Sequence, residues 1–192
     1  MILLASVLAG ILFGWAYARW KGETWRPPIF RATWLVVLGF LPQLLAIYLP
    51  LTRHKFPDGL ASLSLIISQT FLLAFTIVNR RLPGMQLIII GLCFNLLAIL
   101  VNGGFMPLPV NVASRLWPES VLTRMEVGGR ISAGSKDILL PEEEIVLPWL
   151  ADKFLPPDFI NYRFAFSLGD VFVSLGTFWL LVKQQLLIIK PS

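Results

Sequence analysis

Residues 60–102 read LASLSLIISQTFLLAFTIVN-RRL-PGMQLIIIGLCFNLLAILVN, and this stretch decides the fold. Leu60–Asn79 and Pro83–Asn102 carry no Asp, Glu, Lys or Arg; the pair Arg80-Arg81 lies between them. A run of about 20 apolar residues, wound as a helix, crosses a hydrocarbon core of about 30 Å. Working outward, three more such runs appear at Met1–Ala18, Ala32–Leu51 and about Leu168–Leu187. The expectation is an all-α membrane protein, one membrane domain over residues 1–192 with five transmembrane helices at about 1–18, 32–51, 60–79, 83–102 and 168–187. Composition agrees: of 192 residues, 56% are hydrophobic and 14% charged, and mean hydropathy is +0.75. A soluble domain carries about 25% charged residues, so this chain is too poor in charge to cover a water-facing surface.

The charges are sorted along the chain. Arg19, Lys21, Arg26 and Arg31 follow the first run, Arg80 and Arg81 the third, and Lys183 and Lys190 the end of the fifth. Positive residues mark cytoplasmic connections, which places the N-terminus outside and the C-terminus in the cytoplasm. Residues 103–167 then form an outer segment whose six bases face eight acids. Ala16-Tyr17-Ala18 mimics a signal-peptide cleavage site, but Met1-Ile2-Leu3-Leu4 lacks the basic n-region of such a peptide. A retained first helix is expected. Trp20, Trp25 and Trp34, with Trp117 and Trp149, suit depth anchors at the two interfaces.

The outer segment is too long for a simple connection. Helix is expected near Val112–Met125, and the prolines at 107, 109, 156 and 157 argue for short pieces lying on the membrane surface. Within the spans the polar residues are few: Gln43, Gln69, Asn95, Asn102 and Asp170. Amides at such depth make interhelical hydrogen bonds or line a polar path. Ser167-Leu168-Gly169-Asp170 matches an S-x-x-D capping box, with Ser167 capping the fifth helix and Asp170 turned back on it. Cys93 and His54, single residues of their types, leave no disulfide framework and no His- or Cys-based metal cluster. No cofactor or metal is expected, and the bases flank apolar runs instead of forming a nucleic-acid face. The expected partners are the lipid bilayer and other membrane protein subunits.

Three pieces carry a resemblance. Asn95 through Asn102-Gly103-Gly104-Phe105-Met106-Pro107, then Leu147-Pro148-Trp149-Leu150-Ala151-Asp152, then Phe166-Ser167-Leu168-Gly169-Asp170 with Gly176, resemble a family of uncharacterised bacterial integral membrane proteins, a domain of unknown function. The resemblance implies a multi-pass protein of the inner (plasma) membrane and supplies no activity. A more local likeness is to lipoprotein signal peptidases, whose last helix opens on a Phe-Asn-x-Ala-Asp pattern carrying a catalytic Asp. Asp170 occupies that place here, while the Gly-Asn-x-x-Asp-Arg motif that holds the second Asp has no counterpart.

Three functions follow as expectations. The first is a non-catalytic scaffold, assembly factor or accessory subunit of a membrane complex, with Gly10, Gly14, Gly39, Gly91 and Gly176 offering close-packing faces. The second is an aspartyl-type membrane hydrolase in which Asp152 and Asp170 share a proton, one activating water and the other acting as acid. The third is a small transporter or lipid-binding protein with Gln43, Gln69 and Asn95 along one path. Five spans, however, do not divide into the equal inverted repeats usual in transporters.

Overall fold

The computed structural model describes residues 2–157 and 163–189, the side chains of 183–189 excepted. The chain is mostly helical. Its long helices are α1 (Ile2–Trp20), α2 (Trp34–Gln43), α3 (Asp58–Val78) and α4 (Met85–Val101). A strand β1 (Met106–Pro109), short helices α5 (Val110–Leu116) and α6 (Glu119–Leu122), and a strand β2 (Asp137–Leu140) follow, and α7 (Leu168–Ile189) closes the chain. Two helices, α1 and α3, are long and apolar enough to cross a membrane; Trp34–Tyr48, Met85–Val101 and Leu168–Val182 are shorter apolar helices. Lys183 and Lys190, which enter the orientation argument, lie outside the described side chains and residues.

The second run differs most from a plain span. Pro42 sits inside α2, and the helix widens into a π turn over Leu44–Tyr48, closed by Leu49 N–H donating to the Leu44 carbonyl at 2.8 Å. Proline removes a backbone donor and its ring crowds the preceding turn, and a π turn is one way a helix absorbs that misfit.

Pairwise packing sets the long helices in the order α1, α7, α4, α3, α2. Glycines let the neighbours approach. A Cβ on Gly91 of α4 would lie 2.5 Å from the Gly169 carbonyl oxygen of α7, and one on Gly176 of α7 would lie 2.7 Å from the Gly84 carbonyl oxygen. The two contacts are seven residues apart on each antiparallel helix, so the same face meets twice, two turns apart. Gly10 and Gly14 bring α1 against Leu181 of α7 in the same way, and Gly39 brings α2 against Ser68 and Phe71 of α3. The Ser68 hydroxyl donates to the Gly39 carbonyl across that contact.

The 21–33 connection crosses beneath the row. Arg31 N–H donates to Asn79 Oδ1 at 2.8 Å, and Asn79 Nδ2 returns a bond to the Arg31 carbonyl at 2.9 Å. Phe30 joins Met85, Ile88, Leu92 and Leu180 in one apolar cluster.

At the other end the outer segment departs from the expected surface-lying pieces and from an all-α fold. β1 and β2 pair in parallel, Met106 opposite Asp137 and Pro109 opposite Leu140. Parallel strands need a crossover connection, and α5 and α6 supply it; Pro118 divides the single helix expected over Val112–Met125. Leu108, Val112, Ala113 and Leu139 form a core of their own. A second core joins Phe105, Met106 and Leu150 to Ala46, Ile47, Leu65 and Ile99 of the helices. Two of the four prolines that suggested loose pieces are themselves buried: Pro107 and Pro109 lie in β1, whose four residues are all buried, while Pro156 is half-buried and Pro157 exposed.

Candidate functional site

The first turn of α7 is built from Ser167, Gly169 and Asp170. Asp170 N–H donates to Ser167 Oγ at 3.0 Å, and Ser167 N–H donates to Asp170 Oδ2 at 3.4 Å, a reciprocal cap that satisfies two orphan donors of the helix end. Asn95 of α4 closes a triangle. Its Nδ2 donates to Asp170 Oδ1 at 3.0 Å, and Ser167 Oγ donates to Asn95 Oδ1 at 2.9 Å. The side chain of Asn95 reaches that cap because Gly169 has no Cβ to block it. Thus the close helix contact and the polar triangle arise from the same small residue.

Above this cap the outer segment contributes Lys136, Asp137 and Asp152. Lys136 Nζ lies 2.8 Å from Asp152 Oδ2 and 3.1 Å from Asp137 Oδ1. The backbone holds these groups: Met106 N–H donates to the Lys136 carbonyl at 2.9 Å, and Asp152 N–H donates to the Pro107 carbonyl at 3.0 Å. Both bonds use the edges of β1, which therefore positions the ammonium and the carboxylate together. Asp152 is 4% exposed. Its Oδ1 and that of Asp137 are buried without a hydrogen bond.

Burial raises the Asp152 carboxyl; the Lys136 ammonium pulls it back, and the charges of Asp137 and Asp170 push it up again, to about 7. Burial disfavours the Lys136 ammonium, but the charges of Asp137, Asp152 and Asp170 outweigh it and hold the lysine well above its usual range. Two carboxylates thus contact one cation while Asp170 acts on it through its charge, and a proton on Asp152 would relieve the mutual repulsion of the three acids. Such a cluster can keep and exchange a proton near neutral pH. Among the described residues no group of three His, Cys, Asp or Glu side chains is placed to hold a metal ion.

Other polar residues from the sequence go to separate contacts. Gln43 Nε2 donates to the Tyr48 hydroxyl at 3.0 Å, within the distorted end of α2. Asn102 donates to the Ala98 and Val146 carbonyls at 2.8 and 2.9 Å, and its Oδ1 accepts from Val146 N–H at 2.9 Å, tying α4 to the outer segment. Gln69 of α3 has a buried Oε1 without a hydrogen bond. Arg163, a plausible partner for Asp170 by position, donates instead to the Arg115 carbonyl at 3.0 Å. Sequence reasoning missed Lys136, Asp137 and Arg130. Arg130 donates to the Ala133 and Ser135 carbonyls and pairs with Asp58 at the start of α3 at 3.0 Å. No periodicity marks these residues, since Arg130 and Lys136 lie in the loop before β2 and Asp137 opens that short strand.

A family model described as a family of unknown function, DUF5317, matches residues 29–182. The chain belongs to DUF5317. The match takes in α2, α3, α4, the outer segment and the first part of α7, and so contains the whole site. The chain is also 28% identical over 131 residues to an uncharacterised protein of Thermotoga maritima, covering 66% of this chain and 67% of that one. No solved structure matches. These similarities do not extend the likeness to lipoprotein signal peptidases.

Proposed function

We propose that this DUF5317 member is a five-span protein of the plasma membrane that acts without a catalytic centre, as a scaffold, assembly factor or accessory subunit of a membrane complex. One observation carries the reading: beside their apolar cores, the long helices bury small and polar residues and leave many large apolar ones facing outward. α1 buries Gly10, Gly14 and Ala18 while Leu4, Leu8, Leu12 and Phe13 are more than half exposed. Gln43, Ser68, Thr76 and Ser174 are buried, while Val37, Phe40, Leu63 and Leu175 are at least half exposed. Water would penalise that surface heavily, whereas lipid solvates it. Cys93 departs from that pattern: expected as a small buried residue, it is exposed on α4.

The charge pattern supports an outer location for 103–167 and a cytoplasmic one for the 21–33 and 80–82 turns. A non-catalytic role is supported by the use of Asp170 in a helix cap and of Asp152 in an ion pair with Lys136 inside the outer segment. The test is purification in a mild detergent, with mass by light scattering and identification of co-purifying chains. A stoichiometric membrane partner is the expected result. A monodisperse monomer with no companion overturns the scaffold reading.

A second reading is favoured by the raised Asp152, which sits within the field of Asp170: an aspartyl-type hydrolase with Asp152 as acid and Asp170 as base. It requires that an Asp170→Asn variant, still folded, lose cleavage of a membrane-anchored peptide substrate. Full retention removes it.

A further inference from the structure

On the face opposite the Asp152 cluster, the α3–α4 turn and α7 enclose an open cleft of about 560 Å³, lined by Arg80, Arg81, Leu82, Gln86, Leu87 and Trp179 among others. Small-ligand sites span about 300–1,000 Å³. Arg80 and Arg81 are exposed, and neither guanidinium has a hydrogen-bond or ion-pair partner among the described residues. Each fork of N–H donors matches the oxygens of a phosphate group. Trp179, 52% exposed, adds an amphipathic ring of the kind that settles at headgroup depth. Leu82 and Leu87 supply apolar wall beside the arginines.

The cleft is also recessed. The turn at Gly84 rests on Gly176 and Leu180 of α7, and α7 continues to Ile189 beyond that contact. Nine further residues carry its end about 13 Å past the turn. A headgroup drawn to Arg80 and Arg81 is therefore flanked by protein, with its acyl chains beside the exposed apolar sides of the helices.

We infer that this cleft binds the phosphate group of an anionic glycerophospholipid. The inference rests on the five-span reading and deepens it, naming the lipid that the protein selects. Its test uses the full chain, delipidated in detergent and titrated with dioleoyl phosphatidylglycerol or dioleoyl phosphatidylcholine, with bound lipid counted by native mass spectrometry. Phosphatidylglycerol should bind about tenfold tighter. An Arg80→Gln/Arg81→Gln variant should lose that preference, and an Arg115→Gln/Arg124→Gln variant of the outer segment should keep it. Equal binding of the two lipids, or a preference that survives in Arg80→Gln/Arg81→Gln, overturns the inference. Millimolar inorganic phosphate should leave phosphatidylglycerol bound; full displacement overturns the lipid as the source of the phosphate. Retention in phosphatidylcholine vesicles after alkaline carbonate, without lipid preference, defeats the inference alone. Release by carbonate defeats the five-span reading together with it.

Discussion

Asp152 and Asp170 are the same residue type in different electrostatic circumstances. The Asp170 carboxylate accepts from Ser167 N–H in the helix cap and from Asn95 Nδ2; Asp152 has one ammonium and a bare buried oxygen. The sign of the Asp152 effect follows from its direction. Its folded value lies above the unfolded one, so its contribution to stability is complete below pH about 3.8 and fades as pH rises through about 7. The wild type should therefore lose thermal stability relative to Asp152→Asn between pH 4.5 and 8, measured by melting in detergent. A constant difference across that range would refute the raised carboxyl. Ser167→Ala removes the cap on Asp170 N–H and the donor to Asn95, and should cost about 1–2 kcal/mol; Ser114→Ala, whose hydroxyl bonds only its own exposed turn, should be near neutral. At this scale the sequence was partly legible. Ser167 and Asp170 announce a cap by spacing, whereas their meeting with Asn95 joins positions more than seventy residues apart. Lys136 carries no local signal at all, because its role is set by strand pairing.

Among elements, α4 and α7 depend on each other most. A Cβ at Gly91 would meet the Gly169 carbonyl and the Val173 backbone nitrogen at 2.5 and 2.8 Å, and rigid backbone cannot give way as a side-chain tip can. Gly91→Ala should force the helices apart and cost about 1–3 kcal/mol, read as a lower melting temperature and weaker proteolytic resistance at the α7 cap. Gly59→Ala is the matched comparison: nothing lies within 4 Å of its added Cβ, in the first turn of α3, so alanine should be neutral or stabilising by up to about 1 kcal/mol. Apolar runs of twenty residues made the long helices readable from composition, because lipid-length hydrophobicity is a local property. The π turn after Pro42 and the parallel strands were not readable in that way. Met106–Pro109 contains two prolines, which argue against a strand unless it lies at a sheet edge, and its partner is remote in sequence.

For the whole molecule, the proposed orientation makes a direct prediction. In a Cys93→Ser background, a cysteine at the exposed Ser132 should react with a membrane-impermeant maleimide on intact cells, and one at the exposed Gly22 only after permeabilisation. The opposite pattern would invert the topology, and equal labelling of both would contradict a spanning bundle. The same logic separates the two ends chemically: the Lys136, Asp137 and Asp152 cluster at one and the exposed Arg80-Arg81 pair at the other.

The order of helices in the row has a consequence for biogenesis. α1 is made well before α7, yet α7 is its main packing partner, and α4 likewise waits for α7 to fill its glycine face. Until α7 leaves the ribosome, Gly10 and the notch at Gly91 lack the helix that covers them. A chain truncated before Leu168 would display both at once, two small-residue notches with no helix to fill them.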